Sequence, residues 1–343
     1  MINKNACLVE NLIDKLKLEM IPTRDGYGKG LVKAGEKDER VVVLCADLTE
    51  STRSHWFAEK FPERFIQVGV AEQNMALVAS GMANYGKIPF ISSYATFSPG
   101  RNNEQIRTNI CINNVPVKIA GSHAGVSVGP DGATHQALED IALMRVQPRM
   151  VVIVPCDAIE AEKATVATAF NGQPTYIRFG REKSVVFTTE ETPFEIGKAT
   201  IFRDVSPSPN DSGRLSPQAA IIGCGMLLYN ALIAAEELSK EGIECMVINS
   251  HTVKPIDEKT IIEAAQKTGA IVSVEEHQVN GGLGSAIAEV LSRNYPVPQE
   301  CVGVQNRFGE SGTPDELIES FGMGVSSIKD AVRKVISRKN TQT

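Results

Sequence analysis

Apolar residues along the chain fall into short blocks separated by longer stretches with helical spacing. Residues 41–47, 65–70, 89–97, 117–121, 150–155 and 175–180 are apolar runs of strand length. The stretch from Ala71 and residues 158–170 instead repeat apolar positions every three to four residues, as does a segment between the first two runs. Runs that are apolar at successive positions suit strands buried on both faces, so the alternation predicts an α/β domain built on a largely parallel sheet. In such sheets ligands bind beyond the carboxyl ends of the strands.

From 189 to 216 the texture changes to acidic residues and then to Ser206-Pro207-Ser208-Pro209-Asn210-Asp211-Ser212-Gly213, a polar, turn-rich stretch unable to build a core. A linker is expected there, between a first domain at 1–188 and a smaller α/β domain at 217–343. In the second domain 219–225, 245–249 and 270–275 read as strands, and 226–241, 258–268 and 283–293 as helices.

A chain of 343 residues suits two domains, and its balance of 42% hydrophobic and 22% charged residues is that of a globular protein. No apolar run approaches the roughly 18 residues of a membrane span, and the N-terminus lacks the pattern of a secretory signal. No membrane association and a cytoplasmic location are therefore expected. The net charge of −6 without a basic cluster argues against nucleic acid. Seven scattered cysteines, without a C-x-x-C pair, read as buried reduced thiols.

Three segments carry candidate chemistry. Glu72 is the one charged side chain between residues 65 and 85. A carboxylate at the start of a small-residue helix serves the helix dipole, shares a proton with a ligand or lies at an interface. A second segment, residues 121–136, sets His123, Asp131 and His135 among four glycines. Glycines let backbone approach a ligand, and two imidazoles with a carboxylate suit hydrogen bonding to polyols and proton movement. A metal site from the same three residues competes, although the spacing matches no usual zinc pattern. The third segment, Ser92 to Arg101, ends a strand with aromatics, of which Phe97 could stack on a flat heterocycle or lie in the core.

The collinear blocks PTRDGYGKGL, ADLTEST, PERFIQVGVAEQNM, YATFSPGR, GSHAGVSVGPDGATHQALEDIALMR, YIRFGR, HTVKPID and EEHQVNGGLGSA resemble the C-terminal half of transketolase over nearly the whole chain. The resemblance implies a pyrimidine-binding domain of a thiamine diphosphate enzyme followed by a transketolase C-terminal domain. It implies that Glu72 hydrogen-bonds the cofactor's aminopyrimidine, that Phe97 packs on that ring, and that Asp47 lies near the thiazolium. It further implies that His135 and Asp131 contact substrate hydroxyls, and that Arg24, Ser51, His123 and Arg181 hold the sugar phosphate. No residue of this chain is expected to bind metal. The Gly-Asp-Gly motif that clamps Mg2+ (or Ca2+) on the diphosphate is missing, since Gly129-Pro130-Asp131-Gly132 belongs to the histidine segment. The expected partner is thus an N-terminal transketolase subunit in an α2β2 assembly, with a contact between copies of this chain around the helix at 71–82. Asn103 stands where the resemblance implies an aromatic. Alternatives are the β subunit of a 2-oxoacid dehydrogenase, a deoxyxylulose-phosphate synthase fragment, and a non-catalytic paralogue. The C-terminal domain is expected to be structural, with His251 and His277 as loop residues.

Overall fold

The structure is a computed structural model describing residues 1–205 and 216–341. Its first part runs β1 (Met20–Pro22), α1 (Thr23–Lys37), β2 (Val41–Cys45), α2 (His55–Lys60), β3 (Phe65–Gln67), α3 (Glu72–Asn84) and β4 (Ile88–Tyr94). It continues through α4 (Asn103–Gln105), which runs into a π-helical turn, Ile106–Cys111, then β5 (Lys118–Ser122), α5 (Asp140–Arg145), β6 (Val151–Ile153), α6 (Ala158–Ala169), β7 (Thr175–Arg178) and β8 (Lys183–Val185). The second part comprises β9 (Thr200–Arg203), β10 (Ala219–Gly223), α7 (Leu228–Lys240), β11 (Cys245–Asn249), β12 (Thr252–Lys254), α8 (Glu258–Thr268), β13 (Ile271–Gln278), α9 (Leu283–Asn294), β14 (Gln299–Val304), α10 (Pro314–Ser320) and α11 (Val325–Asn340).

The first sheet has seven strands in the order β12-β6-β7-β5-β4-β2-β3, parallel except for β12. Strands such as β2 are buried at every position, which is why their sequences read as unbroken apolar runs. After β3 the chain crosses to the other side of β2 to form β4, and the loops diverge at this switch point. Loops after β2, β3, β4, β5 and β7 therefore open at one edge, and these carry the candidate residues.

Helix α1 was not expected, because its sequence TRDGYGKGLVKAGEK has four glycines, each costing about 1 kcal/mol of helix propensity relative to alanine. Packing explains them. A Cβ on Gly26 would lie 1.9 Å from the carbonyl oxygen of Ala158 on α6, and one on Gly28 would meet Trp56 at 2.4 Å and Arg53 at 2.7 Å. Close approach, and the burial of Tyr27 with its hydroxyl 2.6 Å from Ser92 Oγ, offsets the weak propensity.

The second sheet, β14-β13-β10-β11-β9, is parallel apart from the edge strand β9. Two strands depart from the expected division of the chain. Thr200–Arg203, inside the expected linker, pairs with β11, because its apolar Ile201 and Phe202 find a free strand edge. Thr252–Lys254, inside the expected second domain, pairs with β6 of the first sheet. The polar part of the expected linker, 206–215, lies outside the described residues. Further bonds cross between the two parts: Arg178 Nη2 donates to Glu276 O at 2.8 Å, and Gln278 N to Leu138 O at 2.9 Å.

All seven cysteines are free thiols; Cys7 is exposed and Cys301 half-buried, whereas the other five are buried as expected. Cys7 differs because it sits in a short polar turn and not in an apolar run. His277 lies within β13 and is fully buried, and His251 is buried with its ring 4.4 Å from Phe194. His251 is a loop residue as expected, between β11 and β12, whereas His277 is not, because its segment pairs as part of β13. No helix among the described residues is long and apolar enough to cross a membrane.

Candidate active site

Glu72 opens α3 and is 4% exposed. Arg101 Nη1 donates to its two carboxylate oxygens at 3.2 and 3.3 Å, and Asn102 Nδ2 donates to its backbone carbonyl at 3.1 Å. A cavity of about 590 Å³ opens beside it, bordered by Val70, Gln73, Asn74 and Arg101. A buried carboxylate at the wall of an open cavity is placed to accept a hydrogen bond from a ligand.

Phe97 follows β4, with the Arg101 guanidinium 4.1 Å from its ring centroid. From it a series of rings leads inward: Phe97 meets His135 edge-on at 5.5 Å and stacks with Tyr94 at 5.8 Å, and Tyr94 stacks on His123 at 3.9 Å. Tyr94 was missed as a site residue, although the end of its strand was the signal.

His123 is buried, with φ of +56°, a left-handed conformation uncommon for residues other than glycine. Burial, reinforced by Arg24, Arg181, Arg53 and His135, pushes its imidazole down to about 2, so it is neutral. Its Nε2 lies 3.4 Å from Arg24 Nη1 and its Nδ1 2.9 Å from Ser122 Oγ. The guanidinium can only donate, so Nε2 accepts and the proton sits on Nδ1, donated to Ser122. Both nitrogens of His123 are engaged within the protein, and among the described residues no group of three or more His, Cys, Asp or Glu is placed to hold a metal ion.

Beyond His123 lies a second cavity of about 540 Å³, lined by Arg24, Arg53, Arg181 and Lys183 together with Asp25 and Glu182. Arg24 Nη1 also donates to Ser51 O at 2.9 Å, which fixes the guanidinium beside the start of the loop after β2. Arg181 donates to Val128 O at 2.7 Å and lies 3.7 Å from Asp131. Arg53 was missed, because nothing in the run Ser51-Thr52-Arg53 marks one arginine from the sequence alone.

The loop bearing Asp131 and His135 includes the turn Val126–Asp131 and is fixed from below. Ser127 N donates to Glu276 Oε1 at 2.6 Å, and Gln136 Nε2 donates to Val126 O, Gly129 O and Glu310 O. The C-terminal domain thus holds the loop. Asp47 stands exposed after β2, its N–H donating to Gln67 Oε1 at 2.8 Å, and no side-chain contact joins it to Glu72 or Phe97. Asn103 Nδ2 is buried without a hydrogen-bond partner among the described residues.

The α/β chain thus sets a buried carboxylate and an aromatic at one cavity and clustered arginines at another. Residues 19–185 match the family description "Transketolase, pyrimidine binding domain", and residues 213–328 match "Transketolase, C-terminal domain". The chain belongs to the transketolase family, whose enzymes use thiamine diphosphate. It is 39% identical to the 6-deoxy-6-sulfo-D-fructose transketolase subunit SqwH of Clostridium sp. (strain MSTE9), over 95% of this chain and 98% of that protein. Identity to human transketolase is 36%, over 93% of this chain and 50% of that one. A solved structure described as "Split gene transketolase, inactive beta4 tetramer" superposes with a TM-score of 0.84 at 43% identity, covering 93% of this chain and 99% of that chain. Transketolase from Campylobacter jejuni shares the fold, with a TM-score of 0.77 at 22% identity over 95% of this chain and 50% of that one. The dehydrogenase and synthase alternatives give way to this membership.

Proposed function

We propose that this chain supplies the pyrimidine-binding half of a thiamine diphosphate site and acts as one subunit of a split transketolase, moving a two-carbon ketol unit from a ketose phosphate or sulfonate to an aldose phosphate. The observation that carries the proposal is the continuous line of side chains from Glu72 through Arg101, Phe97, Tyr94 and His123 to Arg24, which joins a seat for a flat ring to a pocket for an anion.

Glu72 fits an aminopyrimidine, being a buried acceptor beside a cavity, with Phe97 close enough to back a planar ring. When bound, thiamine diphosphate supplies the carbon nucleophile that carries the two-carbon unit. Glu72 holds a proton at the pyrimidine ring nitrogen, and its burial strengthens that bond. Asp47 would supply a carboxylate on the thiazolium side of the bound cofactor. His135 and Asp131 orient the donor's hydroxyls, while Arg24, Ser51, His123 and Arg181 hold its anionic end. Neutral His123 steers Arg24, and with its one N–H given to Ser122 it is no general acid at neutral pH.

The diphosphate and Mg2+ (or Ca2+) are assigned to a partner subunit in an α2β2 enzyme. In support, a solved relative of similar length is described as an inactive β4 tetramer. Helix α3 carries no charge beyond the buried Glu72, and its face around exposed Leu77 (43%), with neighbouring Val70 (69%), is the proposed contact between copies of this chain.

The test is to mix the chain with its candidate partner, thiamine diphosphate and magnesium, and to follow transfer from xylulose 5-phosphate and from 6-deoxy-6-sulfofructose to an aldose phosphate. Activity confined to the complete mixture and lost with Glu72→Ala supports the proposal. Full activity from this chain alone, or none with any donor, overturns it.

A further inference from the structure

Three guanidinium groups border the cavity beyond His123, and only two of them belong to the set that the family pattern marks. We propose that Arg53 is a specificity-determining residue that reads the oxyanion at the tail of the sugar; this rests on the functional reading above.

The first observation is placement. Arg53 shares one cavity wall with Arg24 and Arg181, and its position is fixed on several sides. Its Nε donates to Asp25 Oδ1 at 2.6 Å and its Nη1 to Glu50 O at 3.1 Å, which orients the planar fork. Among the described residues no group accepts from its Nη2. One edge of the fork is thus committed to holding it, and the other remains for a ligand.

Backbone is the second observation. Arg53 has φ of +65°, an uncommon conformation for an arginine. The turn is closed by its N–H on Glu50 O at 3.1 Å and is packed against α1 at Gly28, where any Cβ would lie 2.7 Å from Arg53 Cβ. Holding arginine in this conformation costs stability, and such strain clusters at functional sites.

The third is charge. Asp25 pairs with Arg53, and Arg181 has Glu182 at 3.5 Å and Asp131 at 3.7 Å. Lys183 and Asp315 complete the charged lining. Of the three arginines, Arg24 alone has no carboxylate in ion-pair contact among the described residues, and its Nε is buried without a partner. Burial, Arg53 and Arg181 all depress its basicity, a repulsion that a bound anion relieves. The ligand chemistry is a tetrahedral oxyanion, met by a sugar phosphate or a sugar sulfonate.

The test compares wild type, Arg53→Gln and Arg53→Lys in the reconstituted enzyme. The donors are xylulose 5-phosphate, 6-deoxy-6-sulfofructose and the uncharged ketose erythrulose. Sulfate binding to the isolated chain is measured by calorimetry. A lost charge-assisted contact weakens binding about tenfold. In Arg53→Gln the ratio of kcat/KM for an anionic donor to that for erythrulose should fall by about that factor, mostly through KM. Sulfate affinity should fall in parallel, and Arg53→Lys should restore part of both. The anionic donor with the larger change identifies the tail that Arg53 reads. An equal loss on erythrulose, or unchanged sulfate affinity, overturns the proposal. Arg53-dependent sulfate binding without transfer from any donor supports Arg53 as an anion ligand and overturns the enzymatic reading instead.

Discussion

The guanidinium of Arg101 donates to both carboxylate oxygens of Glu72, at 3.2 and 3.3 Å, while its Cζ lies 4.1 Å from the centroid of the Phe97 ring. A planar cation therefore fills the seat between acid and aromatic. Arg101→Ala is expected to tighten thiamine diphosphate binding to the reconstituted enzyme severalfold, read by calorimetry. Binding weakened tenfold or more would instead mean that Arg101 holds the cofactor.

Glu72→Gln keeps the shape of the side chain and removes its charge. A misplaced or missing proton carrier costs about 10²- to 10⁴-fold in rate. Ketol transfer should fall within that range while urea midpoints stay near wild type, since Arg101 can turn toward water. A parallel collapse of stability would make Glu72 a folding residue.

Glu276→Ala frees the N–H of Ser127, bonded at 2.6 Å, and with it the turn Val126–Asp131. Donor KM should rise about tenfold, with a smaller change in kcat, as expected when orientation is lost more than chemistry. Glu276→Gln should recover much of the loss. An unchanged KM in the alanine variant would remove the C-terminal domain from any part in positioning the loop.

His251 is held down to about 4 by burial alone, below its ordinary value near 6.5. The unfolded chain therefore binds a proton below pH 6.5 that the folded chain refuses, so stability falls as pH drops from 6.5 toward 4. His251→Phe lacks this linkage and keeps an aromatic against Phe194. Urea titrations at pH 7.5, 6 and 5 should show the wild type losing stability relative to the variant, by at most about 1.4 kcal/mol per pH unit. Parallel curves would show that His251 does not titrate in this way.

Gly26→Ala improves helix propensity by about 1 kcal/mol. Its Cβ would nevertheless meet the Ala158 carbonyl oxygen at 1.9 Å. Overpacking typically costs about 1–3 kcal/mol, so the variant should be destabilised, and a raised urea midpoint would contradict the account of α1.

That same helix marks where sequence pattern stops informing. Central strands were legible because burial on both faces leaves an unbroken apolar run, as in Val41–Cys45, and the helix read at 258–268 matches α8 to the residue. Glycines in α1 answer to a neighbour on α6, far along the chain, and no local pattern records that. Edge strands β9 and β12 are three or four residues long and owe their existence to partners elsewhere. The spacing of Ile328, Val332 and Val335 did carry a signal for α11 that went unused. In the site, Glu72 stood out because a lone carboxylate is costly among apolar neighbours. Arg53, Arg101 and Glu276 resemble surface charges until tertiary structure turns each toward a partner.

Strand β12 closes the edge of the first sheet with residues that follow the second domain's first two parallel strands in the chain. During synthesis the ribosome therefore releases β6 with one side open, and it stays so until Thr252–Lys254 emerge. An exposed parallel edge invites pairing with other nascent chains. Truncation before residue 252 should then yield aggregates where the complete chain stays dispersed, and separate expression of the two domains is a poor route to either.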